Sequence, residues 1–266
     1  MANVSNVFKL YDNVVGNKVG IEVEVEGKDL PNYLDKYWRI DADGSLRGES
    51  NEYVLAAPMH LMEAYKALDY LQNAYDELGS EIFDSVRCGV HVHVNVQDLS
   101  ITELYNYFTL YSMFEGVLLA NCGKGRVGNL FCLPLNRSPS LVDILVASVN
   151  IGMFGLFGSD ENRYCSMNVV AIPKYGSLEF RALRGGPDLE RIKSWASVLV
   201  GLKTAAKSYR NPVEIVTEAK RVGLRRFFLR NVQESSYLRV GNIKRKLEVS
   251  YEETLPIAYA TDWSTL

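Results

Sequence analysis

The alternation of apolar and polar residues along the chain predicts a mixture of strands and helices. Strict alternation predicts strands over residues 18–26 and 88–96. Shorter runs predict further strands over 52–57, 163–172 and 177–183, and a short strand within 37–45 that ends in a turn at Asp43–Ser45. Helical spacing and capping residues predict helices over 59–78, 101–120, 139–149, 189–208 and 212–221. The rest of the C-terminal segment mixes basic and apolar positions and predicts no regular element.

This succession predicts one domain of mixed α and β structure over residues 1–266. No internal repeat, low-complexity tract or change of composition divides the chain. Because long helical connections join several of the predicted strands, neighbouring strands could pair in either direction. The pattern alone therefore leaves the sheet topology open.

Composition narrows the classes of partner and compartment. The 29 basic and 32 acidic residues give a net charge of −3, which argues against non-specific nucleic-acid binding. No run of 18 apolar residues occurs, so we expect no membrane span, and the N-terminal residues lack the pattern of a signal peptide. The four cysteines form no CxxC pair, which predicts reduced thiols in a cytoplasmic protein.

Three of the predicted strands carry apolar residues on one face and chemically reactive residues on the other. Successive side chains of a strand point to opposite faces, so residues two apart share a face. The polar faces hold Glu22, Glu24 and Glu26 on the first strand, His91, His93 and Asn95 on the second, and Glu179 and Arg181 on the third. Each face alone is also typical of a solvated surface or an ordinary surface ion pair.

The three polar faces are more informative when they are considered as one surface. If the apolar faces pack on one helical layer, the acids, imidazoles and guanidinium converge on the other side of the sheet. Carboxylates bind Mg²⁺, imidazole suits transition metals, and arginine recognises phosphate or carboxylate. This composite predicts a metal site that handles an anion, most simply a nucleotide. Since GxxxxGK[ST] is absent, a bound nucleotide would be held through metal ions and arginines.

The order of these motifs resembles the amidoligases, distant relatives of glutamine synthetase and glutamate–cysteine ligase among the carboxylate–amine ligases. The matching pieces are Val19–Glu24, Asp43–Ser45 with Glu52, Cys88–Val94, Arg163 and Tyr164 with Asn168, and Gly176–Arg181. They cover about residues 18–205 and leave the C-terminal segment 206–266 unassigned.

The resemblance implies a curved, mainly antiparallel sheet with helices on its outer side and the active site on its concave face. It implies ATP and Mg²⁺ or Mn²⁺ as cofactors. Metal-binding residues would be Glu22, Glu24, Glu52, His91 and Glu179. The residues placed near phosphate or substrate would be His93, Arg163 and Arg181.

The sequence departs from the expected family pattern at two points. Leu183, Gly185 and Gly186 stand where a histidine and then Gly-Thr are expected, which affects acceptor recognition more than metal binding. Arg163 and Asn168 are five residues apart, so ideal alternation places them on opposite faces unless a bulge intervenes.

The function that follows from this resemblance is an ATP-dependent ligase that forms an amide through an acyl phosphate. Its partners would be small-molecule or peptide carboxylates and amines, and the glycine-rich stretch 121–130 would be the loop that covers the site. The alternatives are a metal-dependent phosphoester hydrolase that uses the same acids and histidines, and a non-catalytic binding protein that retains the fold. The oligomeric state stays open.

Overall fold

The computed structural model describes residues 2–10, 16–232 and 240–265. In these ranges the strands are β1 (Lys18–Lys28), β2 (Trp38–Asp41), β3 (Ser50–Leu55), β4 (Met59–His60), β5 (Glu81–Ile82), β6 (Gly89–Asn95), β7 (Met167–Asn168) and β8 (Ser177–Arg184). The α-helices are α1 (Val4–Val7), α2 (Leu61–Leu78), α3 (Ile101–Asn121), α4 (Pro139–Ile151), α5 (Ala171–Tyr175), α6 (Leu189–Ala206), α7 (Pro212–Val222), α8 (Leu224–Asn231) and α9 (Ile243–Ala258). Short 3₁₀ helices span Leu135–Arg137, Phe154–Gly158, Asp160–Asn162 and Trp263–Thr265.

The described strands form an open sheet in the order β2-β3-β1-β6-β8-β7, with every pair antiparallel. The two short strands β4 and β5 pair with opposite ends of β1. This arrangement resolves the pairing direction that the sequence pattern left open, and it confirms an α+β architecture with a mainly antiparallel sheet.

The apolar face of the sheet packs against a helical layer. The valines of β1 and β6 are fully buried, as their alternation predicts. The ring of Tyr53 on β3 meets Tyr75 of α2 at 5.8 Å between centroids, and Phe180 on β8 meets Tyr111 of α3 at 4.8 Å. Because these helices occupy the apolar face, the polar residues of the central strands lie on the opposite face.

Helix α3 is buried on nearly all sides because the C-terminal helices also pack on it. Its N-cap is Ser100, whose hydroxyl accepts from Glu103 N–H while the Glu103 carboxylate accepts from Ser100 N–H, so the capping box is confirmed. At its other end Phe114 contacts the rings of Phe227 and Phe228 on α8. The C-terminal segment therefore supplies helices that enclose α3, although the sequence predicted no regular element for most of this segment.

Several predicted elements require correction. The strand predicted over 163–172 is wrong, because only Met167–Asn168 pairs with β8 and Ala171–Tyr175 is helical. Residues 59 and 60 form β4 rather than the start of a helix, so α2 begins two residues later than predicted. Strand β3 lies two residues earlier than the predicted 52–57.

The cysteines agree with the sequence-based expectation, since all four are free and buried. Among the described residues, no helix combines the length and the apolar character needed to cross a membrane.

Candidate functional site

Strand register brings the acids and imidazoles together on the open face of the sheet. Glu22 of β1 stands opposite His91 of β6, and His93 of β6 stands opposite Glu179 of β8. The sequence predicted one shared face, and antiparallel pairing of these three neighbouring strands produces it.

His91 lies at the centre of this cluster and is 7% exposed. Its Nδ1 is 2.8 Å from Glu22 Oε2 and 3.7 Å from Glu179 Oε1, whereas its Nε2 is 3.6 Å from Glu24 Oε1. One imidazole therefore contacts three carboxylates from two different strands.

A second acidic group adjoins the first at the edge formed by β2 and β3. Glu24 stands directly opposite Glu52 in the β1–β3 ladder, and Asp43 follows β2. Ligand atoms of Glu24, Asp43 and Glu52 lie within 4.8 Å of one another, and so do those of Glu22, Glu52 and His91. Such donor sets suit Mg²⁺ or Mn²⁺, and Glu52 belongs to both.

Glu22, Glu24 and Glu52 in this cluster have pKa values that are shifted by burial and by their charged neighbours. Burial and the neighbouring Glu22 and Glu24 raise the pKa of Glu52 to about 7, and burial also raises the pKa of Glu24. Burial acts in the same direction on Glu22, but the hydrogen bonds and charges of His91 and His93 outweigh it and lower its pKa. A divalent cation would offset the burial of these negative charges and relieve the repulsion that Glu22 and Glu24 exert on Glu52.

Arg181 extends the site beyond the acids. Its Nη1 donates to Glu179 Oε1 at 2.7 Å, while Asn168 Nδ2 donates to the other oxygen, Oε2, at 2.6 Å. Glu179 is therefore fixed from two sides, and Arg181 places a guanidinium next to the proposed metal ligands.

A β-bulge sets the position of Arg181. Val92 pairs with Phe180, but Val90 pairs with Leu183, so three steps along β8 match two along β6. This register also turns Leu183 toward the core with Val90, which is why an imidazole at that position would not reach the site.

The carbonyl groups of the bulge are held by Arg126, a residue of the glycine-rich stretch that is 3% exposed. Its Nε donates to Ala182 O at 2.9 Å and its Nη2 to Arg181 O at 2.6 Å. A Cβ at Gly89 would lie 3.3 Å from Arg126 Nη2 and 3.2 Å from Glu24 Oε2, so this guanidinium borders the acidic cluster.

A cavity of about 220 Å³ adjoins the acidic cluster on the side of Glu22 and His93. The ring of Tyr175 meets His93 edge-on at 6.1 Å, and Ser177 Oγ is 3.1 Å from His93 Nδ1. The lining combines apolar and cationic side chains with site residues, among them Lys18, Glu22, Arg39, Val54, Leu55 and Pro58.

Arg163 is not brought to the carboxylates. It is exposed, and its guanidinium lies over the Tyr164 ring at 5.1 Å from the centroid. Of the two residues that ideal alternation placed on opposite faces, Asn168 is the one that contacts the site. The short strand β7 explains the difference, since Arg163 precedes it in a turn.

Two site residues were not assigned a role from the sequence. The sequence places Asp43 in a turn, and the only signal for a role in the site is its position just after a strand that follows the acidic strand in the chain. Arg126 had no distinguishing sequence feature beyond its position among glycines.

Comparison with models of known protein families gives no match, and no curated protein sequence is significantly similar to this chain.

Proposed function

We propose that this protein is an ATP- and divalent-metal-dependent ligase that joins a carboxylate to an amine. The observation that carries the proposal is the convergence of acids, imidazoles and a guanidinium on one sheet face beside a cavity. The motif resemblance to amidoligases supports the same conclusion.

The acidic residues fit the role of metal ligands. Glu22, Glu52 and His91 would hold one cation, and Glu24 with Asp43 and the shared Glu52 would hold a second. Glu179 contacts His91 and lies within reach of the first group. Bound Mg²⁺ or Mn²⁺ would offset the charge of the triphosphate as the γ-phosphoryl group transfers.

The proposed reaction has two steps. A carboxylate oxygen of the donor attacks the γ-phosphorus of ATP, the bond to the β,γ-bridging oxygen breaks, and ADP leaves. An amine nitrogen then attacks the acyl carbon, the bond from that carbon to the phosphate oxygen breaks, and the nitrogen releases a proton. The products are an amide and inorganic phosphate.

The remaining residues would either bind the nucleotide or stabilise the phosphoryl group during its transfer. The cavity beside His93 and Tyr175 would accept the nucleoside, with Lys18 and Arg39 as nearby cations. Arg181 would stabilise the phosphoryl group in transit, because its guanidinium is fixed beside Glu179. Residues 121–130 would limit access of water to the acyl phosphate. The reduced thiols support a cytoplasmic location.

The test is ATP-dependent hydroxamate formation, with hydroxylamine as a general amine and a panel of carboxylates in the presence of Mg²⁺ or Mn²⁺. We expect ADP and hydroxamate in equal amounts. Arg181→Lys keeps the charge but loses the planar fork, so turnover should fall by about 10²-fold with little change in melting temperature.

The matched control is Arg210→Lys, at an exposed arginine that pairs with Glu214, and it should retain full turnover. Cleavage of phosphate esters without ATP would support the hydrolase alternative. Nucleotide binding without ADP formation with any carboxylate of the panel would support the non-catalytic alternative. Near-normal turnover in Arg181→Lys would show that Arg181 does not stabilise the phosphoryl group.

A further inference from the structure

Two aromatic rings are exposed beside Arg181, although large apolar side chains are usually buried. Phe131 is 56% exposed and Tyr164 is 38% exposed. Their ring centroids are 5.6 Å apart, with the rings at 75° to each other. The edge-to-face pair leaves apolar ring surface available to a ligand.

Two guanidinium groups lie close to the Tyr164 ring of this aromatic pair. Arg163 lies 5.1 Å from the Tyr164 centroid and Arg181 lies 5.8 Å from it. Arg181 Nε also donates to Phe131 O at 3.4 Å, which connects the ring pair to the polar face of the sheet. The surface therefore combines ring contacts with positive charge, a combination that complements a ring-bearing anion.

This surface and the cavity lie at opposite ends of the same strand face. Ser177 lines the cavity and Arg181 contacts the aromatic pair, with Glu179 between them on β8. The four residue steps from Ser177 to Arg181 along an extended strand span roughly 13 Å. A nucleoside in the cavity and a second molecule at the aromatic pair could therefore approach the acidic cluster from two sides.

We infer that Phe131 and Tyr164 form the subsite for the carboxylate donor, and that this donor bears an aromatic ring. The inference rests on the proposed ligase function. The reacting carboxylate is directed toward Arg181, and the ring packs on Phe131 and Tyr164. The Arg163 guanidinium, which lies over the Tyr164 ring, adds to the attraction for an anion.

The experiment compares phenylacetate with acetate as donors in the hydroxamate assay. The intact protein should prefer phenylacetate through a lower KM. Phe131→Ala and Tyr164→Ala should each raise the KM for phenylacetate by about tenfold or more and leave the KM for acetate and for ATP nearly unchanged. Tyr164→Phe retains the ring and should behave like the intact protein.

Two further variants separate this subsite from other effects. Tyr175→Ala, at the cavity, should raise the KM for ATP rather than for phenylacetate. Tyr259→Ala removes a tyrosine that is 59% exposed and outside the site, and it should change neither.

The two proposals fail in different ways. If ligase activity is present but phenylacetate has no advantage over acetate, or both alanine variants keep the normal KM for phenylacetate, the aromatic subsite is wrong and the ligase assignment stands. If no carboxylate of the panel gives ATP-dependent hydroxamate, the ligase function itself is wrong and the subsite assignment falls with it.

Discussion

Arg126 shows how one side chain can determine the geometry of a site without being a metal ligand. The bulge in β8 directs the carbonyl groups of Arg181 and Ala182 away from regular strand pairing, and the Arg126 guanidinium donates to both. Because the side chain is almost fully buried, these bonds are protected from competing water. Arg126 is therefore a positioning residue for Arg181 and also attaches the glycine-rich stretch to the sheet.

Replacement of Arg126 by alanine leaves the two carbonyl groups without these donors, at a cost of about 1–3 kcal/mol for each buried group. We expect turnover in the hydroxamate assay to fall at least tenfold, while the KM for ATP changes little. Added guanidinium ion should restore part of the turnover, which a general loss of stability would not allow. Arg126→Lys should be intermediate, since one ammonium cannot reproduce the planar fork.

The melting temperature of Arg126→Ala is the companion measurement. A lower melting temperature with unchanged turnover would mean that Arg126 stabilises the fold without positioning Arg181.

At the scale of elements, the β1–β3 ladder places two acids where they repel each other. Glu24 and Glu52 are directly opposite, a cross-strand arrangement that is destabilising for like charges. Burial is the main reason that the pKa of Glu52 is raised to about 7, and repulsion from Glu22 and Glu24 adds to the shift. The pairing of these strands is therefore the structural feature that favours a cation.

Millimolar Mg²⁺ or Mn²⁺ should raise the melting temperature of the protein, because a ligand that binds only the folded state stabilises it. EDTA should reverse the increase. Glu24→Gln should reduce the response to the metal and raise the melting temperature of the metal-free protein, since one of the opposed charges is removed. Glu63→Gln, at an exposed position on α2, is the control and should respond like the parent.

An unchanged melting temperature with either metal, with and without ATP, would contradict the metal site. An undiminished response in Glu24→Gln would exclude Glu24 as a ligand and leave the other acids to be tested.

At the scale of the whole molecule, a buried acid on α3 links three parts of the fold. Glu115 accepts from Leu135 N–H at 2.8 Å and from the Ser166 hydroxyl. Ser166 immediately precedes β7, and Leu135 begins a 3₁₀ helix. Burial raises the pKa of Glu115 to about 7, although these two hydrogen bonds oppose the shift.

The stability of the protein should therefore depend on the protonation of Glu115. Between its unfolded pKa of 4.5 and its folded pKa of about 7, the folded state holds a proton that the unfolded state has released. The free energy of unfolding should fall as pH rises through this range, by up to roughly 3 kcal/mol from this group.

Urea unfolding at pH 5 and pH 8 measures the effect. Other groups also titrate in this range, so the informative quantity is the difference between the parent and Glu115→Gln. The variant should lose less stability on going from pH 5 to pH 8. An equal loss in both proteins would show that Glu115 does not carry this dependence.

The sequence by itself determined which residues share a face. In β1 and β6 the side-chain period of two is a local property of extended backbone, so Glu22 and Glu24, and likewise His91 and His93, could be assigned to one face without any partner strand. The capping box of α3 is equally local, because its donors and acceptors lie within four residues of each other. These local rules were sufficient to identify most of the candidate site.

Only the tertiary structure decided which faces meet and at what register. The pairing of Glu24 opposite Glu52, the bulge at Arg181, and the positions of Asp43 and Arg126 beside the acids all depend on residues distant in sequence. The position of Arg163 away from the acidic cluster has the same cause. Pairing with β8 limits β7 to Met167–Asn168, and Arg163 therefore lies in the turn before this strand. Strand pairing and burial are non-local interactions, and local periodicity carries no information about which partner supplies them.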